Sequence, residues 1–258
     1  MALALVIAYA MAWPLPHLAP IFAWLLTMEP KKPLGFKGLL VLVPVTALTT
    51  GTGLLMIPLL SDYPATAILV VLIALFFSTY LSVSLGQVTV GMLLTIGITL
   101  ISAVGTVSFV AAIGVINGFL MAIVISISSQ WLVYPLFPED PVSLEPPAEK
   151  VGNEHALWIS VRTTLIVIPV YLLCLTNPLM YTALILKSVS LGQQSTVGDT
   201  KAAAKVLLGS TLMGGVLAIV FWFALKLNVS LWMFFLWMLL IGIGVAAKIY
   251  GLRASKYS

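Results

Sequence analysis

From Ala2 to Ala247 the chain keeps returning to apolar runs, several of them long enough to cross a bilayer whose hydrocarbon is about 30 Å thick. Inside hydrocarbon every backbone N–H and C=O must find a partner within the protein, which leaves only helices or closed barrels. The ten-residue alternation of barrel strands is absent, so the expected fold is all-α. It is that of a polytopic integral membrane protein with about ten membrane segments in two parallel repeats, some of them broken or re-entrant. Composition excludes the soluble alternatives: 61% of the 258 residues are hydrophobic, 8% are charged, and the mean hydropathy is +1.16. Twelve basic and eight acidic side chains cannot cover a soluble enzyme of this size. The net charge of +4 is scattered at helix ends without a basic face, which argues against nucleic acid as a partner. Cys174 stands alone, so no intrachain disulfide or thiolate metal cluster can form.

A ruler of about 20 residues per crossing divides the chain into ten segments. They run from Ala2 to Trp13, Leu18 to Met28, Lys37 to Leu60, Ala65 to Leu81, Val88 to Val104, Ser108 to Tyr134, Ala156 to Thr176, Pro178 to Lys187, Ala202 to Leu225 and Leu231 to Lys248. The N-terminus has no basic region or cleavage site of a signal peptide and reads as membrane from the start. Alternating the segments gathers Lys31, Lys32, Lys37, Lys150, Lys187, Lys201, Lys205, Lys248, Arg253 and Lys256 on one side, with Arg162 near it and only Lys226 opposite. The positive-inside rule makes that side cytoplasmic and places the N-terminus there. Between the sixth and seventh segments lies a proline-rich stretch too short for a domain, read as a linker.

Two parts of the chain resemble each other across that linker. Trp13-Pro-Leu-Pro-His-Leu-Ala-Pro20, a short apolar run and a long helix opened by Lys37 are answered by Asn177-Pro178, a short run and a long helix opened by Lys201, at separations near 161 to 164 residues. This predicts a first repeat over residues 1–135, a cytoplasmic linker over 136–155 and a second repeat over 156–258, the last short by about two helices. A separate match, Ser-Val-Ser-Leu-Gly-Gln at 82–87 and 188–193, reads first as a duplicated turn and cap.

Interrupted helices mark sites in membrane proteins, because irregular backbone survives in hydrocarbon only where it is buried or lines a cavity. Trp13, Pro14, Pro16 and His17 form one interruption, Asn177 and Pro178 the other. Each precedes a run of about 15 Å, half a bilayer. The exposed N–H groups of such half-helices would hold a carboxylate. His17 reads either as an interfacial side chain or as a proton relay. Arg162 snorkels to the surface, pairs, or meets an anion. Thr49 and Thr50, with Thr46, Thr52, Gly51 and Gly53, and Ser210 and Thr211 with their neighbouring glycines, form small polar faces that serve helix packing first and substrate lining second. Asn117 and Gln130 add uncharged hydrogen-bonding groups to one span, and Trp24, Tyr181, Phe221 and Trp222 offer rings to an aromatic substrate. No Walker motif, His-Glu-x-x-His, nucleophile elbow or Cys-His cluster occurs, so no enzyme activity, cofactor or metal is expected. No carboxylate falls inside a span, which leaves proton coupling without an acidic carrier.

The stretch from Ala12 to Trp24, AWPLPHLAPIFAW, leading to Lys37, the proline-rich linker, and Gly209 to Gly215, GSTLMGG, followed by Phe221 and Trp222, resembles the fusaric acid resistance and aromatic acid exporter superfamily, particularly its compact members. That resemblance implies two six-helix halves in a bacterial inner membrane and export of small aromatic carboxylates. It also implies a periplasmic adaptor of the membrane-fusion type as partner, beside membrane lipid, with homo-oligomerisation left open. The chain departs from the pattern in lacking the large cytoplasmic domain of longer members and the final two helices. Two other readings stand beside export: a passive anion channel, and a non-transporting membrane subunit of a larger complex.

Overall fold

The computed structural model describes residues 1–13, 15–27, 34–86, 88–137, 153–192, 197–227 and 229–249. Among them there is no strand, and the protein is an all-α, multi-pass membrane protein. Before the linker come α1 (Ala2–Ala10), α2 (Leu18–Thr27), α3 (Phe36–Asp62), α4 (Pro64–Leu85), α5 (Val88–Ile96), a π-helical turn (Gly97–Ile101), α6 (Ser102–Val107) and α7 (Phe109–Val133). After it come α8 (Asn153–Thr176), α9 (Pro178–Gly192), α10 (Val197–Leu227) and α11 (Leu231–Ile249). With α5, the π turn and α6 taken as one rod, these are the ten expected segments. Among the described residues six helical stretches are long and apolar enough to cross a membrane: Phe36–Asp62, Pro64–Leu85, Val90–Val107, Phe109–Val133, Glu154–Thr176 and Ala204–Lys226.

Several boundaries differ from expectation, each for a local reason. Helix α1 stops at Ala10 rather than Trp13, because Ala12 takes a left-handed conformation with φ of 48° that a right-handed helix cannot continue through. Helix α9 runs on to Gly192 rather than Lys187, about 22 Å for its 15 residues instead of the half-bilayer expected. Helix α2, with 10 residues, keeps the short length of about 15 Å. Helix α10 starts at Val197 rather than at Ala202.

The chain forms two compact units, each drawing on both sides of the linker. One comprises Met1–Leu39, Gly118–Ser143 and Gly209–Ser258. In it α1 packs on α2 and on α11 through buried Ala4, Leu5 and Ala8, with Tyr9 edge-on to Phe234 at 5.2 Å. Phe22 meets Phe119 edge-on at 5.7 Å, and Ser126 donates a 2.8 Å hydrogen bond to the carbonyl of Ala19.

The other unit comprises Leu40–Asn117 and Leu144–Leu208. Its core gathers Val71 and Leu75 of α4, Ile98 of the π turn, Ala103 of α6, Val167, Tyr171 and Cys174 of α8, and Ile185 and Val189 of α9. Lipid is as apolar as leucine, so such helices associate through close packing and hydrogen bonds rather than escape from water. Two glycines bring α3 and the π turn into close approach. A Cβ on Gly53 would land on the carbonyl oxygen of Gly97, and one on Gly97 would land on that of Thr49. Glycine is therefore required at both positions. Gly97→Ala is expected to lower the stability of the detergent-solubilised protein by about 1–3 kcal/mol. Gly51→Ala, where nothing lies within 4 Å of the new methyl, should leave it unchanged or raise it by about 0.5–1 kcal/mol. Unfolding curves of the two variants against the parent measure this contrast.

Candidate functional site

In the first unit the interruption follows α1. The chain turns through Ala12 and through Leu15, which is also left-handed with φ of 57°. Two non-glycine residues in that region within one short turn store strain, a condition that recurs at ligand clamps and switches. Trp13 is half-buried, and its Nε1 is out of contact with solvent without an acceptor. Pro16 is half-buried and His17 is exposed; Pro14 lies outside the described residues. Ser210 and Thr211 also belong to this unit, on an α10 whose residues 204–226 include none that is buried. The neighbouring rings are engaged with other groups: Lys226 Nζ sits 3.8 Å over the Trp222 ring, and Phe221 lies 5.5 Å from Phe234. Trp24 is exposed.

In the second unit Thr49 and Thr50 turn their hydroxyls onto their own helix. Thr49 Oγ1 donates to the carbonyl of Val45 at 2.7 Å and Thr50 Oγ1 to that of Thr46 at 2.6 Å. Their face abuts Gly97, so its immediate role is helix packing. That contact leads to a buried hydroxyl seam that the sequence reading did not single out. Ser78 of α4 lies 3.1 Å from Thr95 Oγ1 of α5 and 3.2 Å from the carbonyl of Gly91. Ser102, just past the π turn, meets the hydroxyl of Tyr171 on α8 at 3.0 Å and also donates to the carbonyl of Ile98. Single π turns inside α-helices are frequent at functional sites. The available signal was Thr95, Gly97, Thr99 and Ser102, small or polar residues two or three apart in an otherwise apolar run.

Asn177 and Pro178 join α8 to α9. Asn177 Oδ1 accepts a hydrogen bond from the N–H of Met180 at 3.3 Å, and Pro178 occupies the first helical position, where its missing N–H costs nothing. The Pro178 carbonyl accepts from Thr182 Oγ1 at 2.7 Å. Thr176, Asn177 and Pro178 line a cavity of about 180 Å³ together with Val104, Val107 and Ala111. Tyr181 is half-buried against the core. Arg162, half-buried on α8, stands fifteen residues before Asn177, about 22 Å along the helix axis. One small carboxylate cannot touch both. The expected site residues therefore fall into separate places: Trp13, Pro16, His17, Ser210 and Thr211 in one unit, and Thr49, Thr50, Arg162, Asn177, Pro178 and Tyr181 in the other. Within the second unit, Asn177 and Pro178 share a cavity.

The repeated hexapeptide closes helices. In its first copy α4 ends at Leu85 and Gly86 takes the left-handed cap conformation with φ of 68°, while Ser82 packs so tightly on Gly91 that a Cβ there would collide. In its second copy Ser188 is buried, its hydroxyl donating to the carbonyl of Ile185 at 2.8 Å, and α9 ends at Gly192. Gln87 and Gln193 lie outside the described residues. Among the described residues no three His, Cys, Asp or Glu side chains are placed to hold a metal ion.

A family model described as "Protein of unknown function (DUF2955)" matches residues 1–133, the stretch from α1 to the end of α7. No curated protein and no solved structure matches the chain.

The cross-helix bond of the seam yields a direct measurement. Tyr171→Phe and Ser102→Ala should each lower stability by about 0.5–1.5 kcal/mol, with the double variant losing less than the two summed. Additive losses in unfolding experiments would mean that the 3.0 Å contact contributes nothing.

Proposed function

The chain belongs to the DUF2955 family, and from that premise we propose that it is a transporter exporting small organic anions such as aromatic carboxylic acids. In this reading it is the inner-membrane part of a bacterial efflux system, its N-terminus cytoplasmic, working with a periplasmic adaptor of the membrane-fusion type. The observation that carries the proposal is the start of α9. A helix too short to cross comfortably begins at a capped Asn177-Pro178 turn on the rim of a cavity. Helix starts of this kind favour negative charge through their N–H groups and dipole. Arg162, near the other end of α8, is then a separate station, receiving the anion on the cytoplasmic side while the Asn177 turn meets it on the far side. The resemblance to aromatic acid exporters in Ala12 to Trp24 and Gly209 to Gly215 supports the substrate class.

Passive anion conduction is the second reading, and the placement of the carboxylates favours it. Asp62 closes α3, Glu154 stands in the first turn of α8 and Asp199 in that of α10, so among the described residues none lies mid-span to carry a proton.

In proteoliposomes, benzoate flux should fall at least about tenfold in Arg162→Gln, since a charge-assisted contact of about 1.5–3 kcal/mol is removed. Asn177→Ser, which keeps a capping oxygen, should retain flux where Asn177→Ala loses it. Unchanged flux in Arg162→Gln would end the anion assignment. Flux that follows voltage and ignores a pH gradient would identify the channel.

A further inference from the structure

In the first unit, α10 ends and α11 begins beside an open cleft of about 480 Å³, whose walls include Tyr9, Trp222, Lys226, Ser230, Leu231 and Phe234. Lys226 lies in the last turn of α10. Its side chain folds back toward the preceding turn, as helical side chains do, and Nζ sits 3.8 Å over the ring of Trp222. The ammonium is thereby drawn in from the helix end instead of snorkelling outward. Ser230 Oγ accepts a hydrogen bond of 3.2 Å from the N–H of Met233 and keeps its own O–H to give. Trp222 stands four residues before Lys226 and Phe234 four after Ser230, so each polar residue has a ring-bearing one about 6 Å further along its helix, away from the turn. The cleft is charged at its rim and aromatic below.

A ring face attracts a cation but offers no oxygen to its N–H groups, and a charge held against apolar surface is costly until an anion meets it. The chain supplies none here: the stretches that line the cleft, residues 1–28 and 209–258, contain no Asp or Glu. Residues 204–226 of α10 include none that is buried, so lipid chains reach the cleft along that helix. An occupant with a negative head and an apolar body satisfies both halves of the site. We propose that the cleft binds an anionic phospholipid, its phosphate held by Lys226 Nζ with the Ser230 hydroxyl as second donor, and its chains lying along α10 and α11. A zwitterionic headgroup fits less well, because its own ammonium finds no carboxylate and Lys226 already takes the Trp222 face. The site is distinct from the Asn177 turn and does not depend on the export of anions.

Native mass spectrometry of the full chain, stripped of lipid in detergent and titrated with phosphatidylglycerol or with phosphatidylcholine of the same chains, tests it. The first phosphatidylglycerol should bind at least about fivefold more tightly than the first phosphatidylcholine, the worth of one lysine facing an anionic lipid. Lys226→Gln should weaken phosphatidylglycerol about tenfold, since a charge-assisted contact is lost, while Lys226→Arg should keep most of the affinity. Lys205→Gln removes the same charge from an exposed position toward the other end of α10 and should leave the affinity unchanged. Equal binding of the two lipids, or unchanged affinity in Lys226→Gln, would overturn the proposal. So would displacement of the lipid by an equal concentration of glycerol phosphate or benzoate, which would mean that the negative charge alone is recognised. Independently of any variant, phosphatidylglycerol carrying a photoactivatable group near its headgroup should label the turn between α10 and α11 in the unaltered protein. Labelling that spares that turn would also end the assignment.

Discussion

Hydrocarbon offers no hydrogen bonds, and nearly every polar atom in this protein is placed by that fact. The backbone answers by being helical over most of its described length. The buried hydroxyls answer in the same way, turning back on the carbonyl four residues earlier: Thr46 to Leu42, Thr79 to Leu75, Thr95 to Gly91, Thr99 to Thr95, Ser160 to Ala156 and Thr164 to Ser160. Such a bond lets a hydroxyl lie inside a bundle without a partner on another helix, at the expense of a slight bend in its own. Serines and threonines can therefore be numerous in the core of the second unit without forming a water-filled path.

Once donors are spent locally, what distinguishes one helix pairing from another is how closely the backbones come together. Gly53 against Gly97, Gly91 against Ser82 and Gly105 against Ile57 are places where even one methyl would collide. These contacts fix α3 and α4 against the rod formed by α5, the π turn and α6, while Ser78 with Thr95 and Ser102 with Tyr171 supply hydrogen bonds that cross between helices. The π turn lies where both kinds of contact converge. Its five residues are all buried, so its altered backbone pattern is enclosed by protein rather than lipid.

The places that depart from this order are the chemically interesting ones. The turn after α1 holds two left-handed non-glycine residues and an indole N–H without an acceptor. The α8–α9 turn presents a capped helix start to a cavity. The Gln130 amide nitrogen is shut off from solvent with no acceptor. Each lies next to a helix end, where irregular geometry disturbs the fewest backbone hydrogen bonds.

The amino-acid order by itself determined that the chain is all-α and crosses a membrane several times, that its described residues fall into ten helical segments, and that breaks follow α1 and α8. Those features follow from hydrophobic run length and from the backbone chemistry of proline, both of which act within a few residues. Helix ends were legible less well: Ala12 shortened α1, and α9 outran Lys187, because capping geometry and packing override run length. Only the tertiary structure decided that Thr49 and Thr50 face Gly97, that Ser102 reaches Tyr171, and that Gln130 Nε2 is enclosed without an acceptor. Each of these depends on which face of a helix meets which neighbour, and in an apolar medium that choice rests on the close fit of particular side chains, which hydrophobicity along the chain does not encode.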